Sequence, residues 1–179
     1  MHTIVIDANV FKAFYEVEVL GYPPPRPQRT GDAKPIFDSL GSLCVALLDS
    51  GGQIEIEWRN MCLGGEEWFN EWMATAYANG QIFPIDVPNT AAIKKKYQKL
   101  GFPVNLRDFW YIKLCLAILN MCNKHEVVLV TEDIEFYSPQ HKNHTGKNHY
   151  IVNSKGTIAK ELRDDGVRVC CISNSLLIL

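Results

Sequence analysis

The sequence predicts a three-layer α/β/α sandwich built around a central, mainly parallel sheet. Three observations carry that expectation. Runs that are apolar throughout, such as Thr3 to Ile6 and Val127 to Val130, read as strands buried on both faces. Helical patterns alternate with these runs along the chain, which is the order of a parallel sheet with crossover helices. The chain has 179 residues, 47% of them apolar, enough for one sizeable core, so residues 1–179 are assigned to a single domain. Crossovers between its strands are expected to be right-handed.

The elements follow in order. Thr3 to Ile6 is a strand ending on Asp7, and helical residues come next. Gly21 to Pro35 is dense in proline (Pro23, Pro24, Pro25, Pro27, Pro35), which blocks helix and central strand, so it reads as a surface loop. Asp38 to Ser50 carries a helical apolar pattern (Leu40, Leu43, Cys44, Leu47, Leu48) stopped by Gly51 and Gly52. Gln53 to Glu57 alternates as a strand would, with Ile54 and Ile56 on one side and Glu55 and Glu57 on the other. Glu66 to Asn79 is helical through Trp68, Phe69, Trp72, Met73, Ala76 and Tyr77, with Gly80 as C-cap. Ile82 to Val87 is another strand. Asn89 or Thr90 then caps a short helix bearing Lys94, Lys95, Lys96 and Lys99, stopped by Gly101. Asn105 opens a long helix to about Cys122 that is apolar nearly all round and therefore central. After the strand Val127 to Val130, Ser138 to His149 is a polar loop. Gly156 to Asp165 is helical, and Val167 to Ile172 is the last buried strand.

Composition narrows the function classes. The formal net charge is -2, so any nucleic-acid surface is a local patch and not a global field. No window is apolar for long enough to cross a bilayer, and the N-terminus has neither a basic region nor a small-residue cleavage site. Six scattered cysteines form no C-x-x-C pair and read as buried thiols of a cytoplasmic protein.

The chemistry is expected at the carboxyl ends of the strands, where open α/β sheets place their sites. Asp7 and Asp133 both sit just past a buried strand. Two such acids repel unless paired or bridged by a cation. Asp108 falls in the first turn of the central helix, where the helix dipole favours an acid; with Asn105 as N-cap it also fits a capping box. Capping and metal binding are compatible, since a carboxylate has two oxygens.

Ile4-Val5-Ile6-Asp7-Ala8-Asn9-Val10 resembles the opening motif of PIN domains, a strand, an Asp and a small polar residue two on. Asp108 at the start of a long buried helix is similar to that family's second aspartate. Leu129-Val130-Thr131-Glu132-Asp133 with Glu135-Phe136 resembles its T-x-D-x-acid-Phe segment. The family has an acid between its first two aspartates, and Glu57, followed by Trp58, is the choice there, with Glu55 as the alternative. The resemblance spans Thr3 to about Ile172. It implies a metal-dependent nuclease cutting single-stranded RNA, with Mg²⁺ or Mn²⁺ held by Asp7, Glu57, Asp108 and Asp133. Oxygen donors favour those ions over zinc. Asn9, Thr131 and Glu135 would then support the ligands. A toxin with an antitoxin partner, a defence nuclease and an RNA-processing enzyme all fit, and family members often dimerise. A DNA or flap-type nuclease and a non-catalytic nucleic-acid-binding module are the competing readings. A haloacid-type phosphatase needs an Asp where Asn9 stands. Two departures are an apparent insertion at 22–35 and a long polar loop at 138–149.

Other signals have plainer readings. Lys94 and Lys95 in the lysine run, and Arg107 beside Asp108, are candidate phosphate contacts, against a solvated helix face for the lysines. His141, His144 and His149 lack zinc-ligand spacing and read as a solvated loop, with RNA contact as the alternative. Trp58, Trp68, Phe69 and Trp72 suit a core or a dimer interface better than base stacking.

Overall fold

A computed structural model describes residues 1–24, 29–88, 91–121, 126–142, 146–175 and 177–178. It begins with strand β1 (His2–Ile6) and helices α1 (Ala8–Glu18) and α2 (Lys34–Asp38). Strand β2 (Cys44–Asp49), helices α3 (Gln53–Met61) and α4 (Glu66–Ala78), and strand β3 (Ile82–Ile85) follow. Next come α5 (Ala91–Lys99), α6 (Phe109–Met121) and β4 (Val127–Val130). The chain closes with two short 3-10 turns (Ile134–Phe136 and Pro139–His141), α7 (Lys147–Val152), α8 (Thr157–Asp164), β5 (Val167–Cys170) and α9 (Ile172–Ser175).

The sheet is parallel throughout, in the order β3-β2-β1-β4-β5, and helices flank it as the three-layer expectation requires. Register is fixed by pairs such as Ile4 with Val128 and Ile6 with Val130. The strand order reverses between β1 and β4. Connections leaving those two strands diverge and open a crevice at their carboxyl ends. Helix α1 packs with α3, α6 lies against β1, β2 and β4, and α8 lies against β5.

Three sequence expectations are corrected here. Residues 44–49 form a strand, not part of a helix over 38–50. Cys44 to Leu48 is an unbroken apolar run before Asp49, which suits a strand covered on both faces better than a helix with one wet face. Residues 53–57 open a helix and not a strand: Ile54, Glu57 and Trp58 share its buried face, while Ile56 is 48% exposed. The third concerns the polar segment 138–149. Residues Lys147–Val152 are helical, and Ile151 reaches the core. The caps expected at Asn89 and Thr90, and residues Cys122, His144, Pro25 and Pro27, lie outside the described residues. Of the proline-rich segment, Pro35 occupies the first turn of α2, where its missing N–H costs nothing.

The aromatic residues resolve as core. Phe11 stacks on Trp58 at 4.5 Å and Phe14 on Phe37 at 4.1 Å, with Phe69 edge-on to Phe11. Trp58 and Phe69 are fully buried and unavailable to a base, while Trp68 and Trp72 are partly buried against the same cluster. Cys44, Cys62, Cys115, Cys170 and Cys171 are buried free thiols. Among the described residues no helix is long and apolar enough to cross a membrane.

Gly156 shows how tightly the β4–β5 connection is packed. Its φ is +122°, and a Cβ there would stand 2.2 Å from the Tyr137 carbonyl oxygen. That same carbonyl accepts the N–H groups of Ile158 and Ala159 at the start of α8. Both backbones are held, so neither can give way. Gly156→Ala is expected to lower unfolding free energy by about 2–4 kcal/mol, from left-handed strain plus overpacking. Denaturant titration checks this; a loss below about 0.5 kcal/mol would show that the turn adapts.

Candidate active site

Asp7 follows β1 directly. Its backbone N–H donates to the Val130 carbonyl at 3.0 Å, so the last rung between β1 and β4 positions it. One carboxylate oxygen caps α1 by accepting the Asn9 N–H at 3.4 Å. The other accepts the Thr131 hydroxyl at 2.6 Å. Thr131 is itself fully buried at the end of β4, and its hydroxyl oxygen also accepts the Asp133 N–H at 3.0 Å. Thr131 thus touches Asp7 through its side chain, and Asn9 through its backbone N–H. Tyr137 fixes the Thr131 carbonyl by donating its hydroxyl at 2.8 Å.

Glu57 arrives from α3. Its Oε2 accepts the Tyr111 hydroxyl at 2.8 Å, and the Tyr111 oxygen accepts the Ala8 N–H at 3.0 Å. Tyr111 thus ties α6, α3 and the start of α1 to one point. Neighbouring Trp58 donates its indole N–H to the Ile6 carbonyl at 3.0 Å. The two glutamates differ in their surroundings. Glu57 is 7% exposed and lies in the site, whereas Glu55 pairs with Arg59 one turn along α3.

Asp108 stands immediately before α6, which starts at Phe109 and not at Asn105. Residues 105–108 are turns and bends, so the capping box expected there is absent. Among the described residues the Asp108 carboxylate accepts no hydrogen bond, which leaves it available. Asp133 caps the first 3-10 turn by accepting the Glu135 N–H at 3.3 Å.

These carboxyls share one electrostatic field. Burial, opposed by the Thr131 hydroxyl and reinforced by Asp108, raises the Asp7 pKa to about 6. Glu57 is raised chiefly by burial, against its bond from Tyr111, with Asp108 and Asp7 adding to the shift and Arg107 opposing it. Asp108 is raised by burial and by Glu135, with Lys142 opposing. Asp133 is raised to about 8 by burial, then by Glu135 and Asp7. Burial alone would also raise Glu135, but its contact with Asp133 and its ion pair with Lys142 hold it below the usual range. The two carboxyls are thus driven apart, Asp133 upward by burial and like charge and Glu135 downward by Lys142. Two oxygens inside this group, Glu57 Oε1 and Glu135 Oε2, are buried with no hydrogen-bond partner.

The donors are hard oxygens in a shared negative field with orphaned lone pairs, and that chemistry fits Mg²⁺ or Mn²⁺. As placed, no three acid, histidine or cysteine side chains among the described residues converge closely enough to form a closed coordination set.

Of the candidate phosphate contacts, Arg107 is exposed and close enough to stabilise ionised Glu57. Lys94 lies in a cavity beside the start of α6. Lys95 is not brought to the acids; it lines a separate groove with Lys96, Lys99 and Glu161. Lys96 is held structurally by Glu161 at 2.7 Å and Asp165 at 2.6 Å. His141 is a packing residue, stacked on Tyr150 at 4.0 Å with both ring nitrogens hydrogen-bonded. His149 lies on α7 beside Asn153.

Sequence reasoning missed Tyr111 and Lys142. Tyr111 was hidden in an apolar helix, and its one signal was a buried hydroxyl three residues after Asp108, which must find a partner. Lys142 had no distinguishing pattern in its polar segment. It also missed that Glu132 anchors the proline-rich segment, accepting the Thr30 N–H at 3.0 and 3.1 Å and the Ile172 N–H at 3.3 Å.

A carboxyl whose folded pKa exceeds its unfolded value costs stability as it ionises. For Asp7 the cost grows between pH 3.8 and about 6 and is constant above. It amounts to roughly 3 kcal/mol. Asp7→Asn keeps an oxygen for Thr131 and removes the charge. Without divalent ions at pH 7.5 it is expected to raise Tm by about 3–8 °C, with a smaller gain at pH 5. Scanning calorimetry at the two pH values checks this, and a variant less stable at both would contradict the charge strain. In comparisons with protein-family models, characterised proteins and solved structures, none matches this chain.

Proposed function

We propose that the chain is a Mg²⁺- or Mn²⁺-dependent endoribonuclease of the kind that PIN domains represent, hydrolysing phosphodiester bonds of single-stranded RNA. One observation carries the reading. Four carboxyls from four separate places in the chain, Asp7, Glu57, Asp108 and Asp133, lie at the switch point of a parallel sheet within reach of one another's charge. Such an arrangement is unstable without a counter-charge.

Asp7, Glu57 and Asp108 would hold the ion, with Asp133 beside them. A bound divalent ion supplies a water of lowered pKa and charge compensation at the phosphoryl group. The chain's own residues do the rest. Thr131 and Asn9 fix the Asp7 carboxylate, and Tyr111 fixes Glu57 with one oxygen left for coordination. Arg107, exposed and next to Asp108 in the chain, would meet a phosphate there. Asp133, its pKa raised by burial, would be the candidate proton donor to the leaving oxygen. An antitoxin-like partner, homodimer formation and a cytoplasmic setting belong to this reading as expectations from the same resemblance.

The test is cleavage of end-labelled single-stranded RNA and DNA of one sequence by wild type, Asp7→Asn and Glu57→Gln, in Mn²⁺, Mg²⁺ or EDTA. RNA cleavage is expected with Mn²⁺ or Mg²⁺ and lost at least about 100-fold in EDTA or in either variant. Activity that survives both removes the metal mechanism, and DNA cut as well as RNA replaces the substrate. Millimolar Mn²⁺ should also raise the wild-type Tm by several degrees and leave Asp7→Asn nearly unmoved.

A further inference from the structure

We infer that a basic cleft beside the start of α6 holds a backbone phosphate of single-stranded RNA next to the position being cut; this rests on the nuclease reading. The cleft has a volume of about 350 Å³ and is lined by Lys94, Asn105, Leu106, Trp110 and Lys113, among others. That is the low end of the range for small-ligand sites and suits one nucleotide.

Position comes first. Leu106 and Trp110 flank Arg107 and Asp108 in the chain, so the cleft adjoins the candidate metal ligands. Lys113 also feels the charge of Asp49, the acid at the carboxyl end of β2. The cleft therefore opens at the same end of the sheet as the acids do.

Charge comes second. Lys94 and Lys113 are close enough to repel, and neither pairs with a carboxylate among the described residues. Lys113 is half-buried, and its ammonium lies 3.1 Å from the centroid of the Trp110 ring. Burial pulls its pKa down. Lys113 is a partly desolvated cation on an indole face, with Asp49 acting on it from beyond ion-pair distance and Lys94 opposing, so the space between the two lysines suits an anion. Elsewhere on α5 the contrast is clear, since Lys96 has Glu161 and Asp165.

Chemistry selects the occupant. A phosphodiester supplies the anion, the half-exposed Leu106 and the edge of Trp110 offer an apolar surface to the attached sugar and base, and the Asn105 amide can donate or accept at a base edge. A duplex could not follow its strand into a cleft one nucleotide in size.

Binding in EDTA separates this inference from the catalytic one. A labelled single-stranded RNA of about ten nucleotides is titrated with full-length wild type, Lys94→Gln, Lys113→Gln, the double variant and Lys160→Gln, an exposed lysine on α8. At about 0.1 M salt each cleft substitution is expected to weaken binding about 5-fold, to lower the salt slope by about 0.7, and to be additive in the double variant. Lys160→Gln should do neither, and circular dichroism should match wild type in all. Equal affinity and slope in the double variant overturn the subsite, as does no wild-type binding at about 100 μM protein. Weakened binding with no cleavage in any metal would keep the subsite and remove the nuclease. Unchanged binding with metal-dependent cleavage would do the reverse.

Discussion

The Thr131 hydroxyl bonded to Asp7 Oδ2 at 2.6 Å joins the two strand ends on which the site is built. It works because β1 and β4 are adjacent and parallel, with the Asp7 N–H closing the last rung onto Val130. A parallel pair places both carboxyl ends on one edge of the sheet, so residues 124 positions apart in sequence meet there. From this joint the rest extends. Asp7 starts α1, Thr131 fixes Asp133, and Asp133 starts the turn that carries Glu135. Tyr111 adds α6 and α3 by bonding Ala8 and Glu57 together.

Holding several carboxyls at a dry edge opposes folding, because desolvation and like charge both disfavour their ionised forms. The surrounding fold offsets this with a core that is unusually aromatic on the α1–α3 side, where Phe11, Phe14, Phe37 and Trp58 pack ring on ring. Helix α6 is apolar on nearly every side and touches three of the five strands, which makes it the internal brace of the molecule. Carboxyls that oppose folding at a strand-end crevice are candidates for stabilisation by a ligand that binds there.

Much of this was legible in the chain. Apolar runs marked β1 and β4, a run broken only by Arg168 marked β5, and the acids just past β1 and β4 pointed to the sheet's carboxyl edge. What failed is instructive. Residues 44–48 are apolar at every position, and a run of that kind matches a helix template by accident. Gln53 to Glu57 is too short for alternation to be told from a helical face, and only the burial of Ile54, Glu57 and Trp58 together decides it. Tyr111, Lys142 and Glu132 were not legible, because their roles depend on long-range contacts that no local pattern encodes. Lys94 and Lys95 are adjacent in sequence yet face different clefts, since one residue on a helix turns the side chain by about 100°.

Asp49 is an internal control for what the acid cluster means. It too is buried at the carboxyl end of a strand, so by its place in the sheet it ranks with Asp7 and Asp133. Its surroundings account for it completely: Oδ1 accepts the Ile54 N–H at 2.8 Å and Oδ2 accepts the Gln53 N–H at 2.9 Å, so both oxygens serve the first turn of α3. Capping therefore suffices for Asp49. It does not suffice for the others. Asp7 gives one oxygen to α1 and the other to a threonine that touches a second acid. Glu57 and Glu135 each keep a buried oxygen without a donor, and Asp108 accepts nothing among the described residues. Most buried polar atoms in folded proteins have a partner, so the two glutamate oxygens call for one, whether water or an ion. At an edge crowded with carboxyls, a cation would complete them and offset their like charge together, which is why the metal-dependent reading is the one proposed.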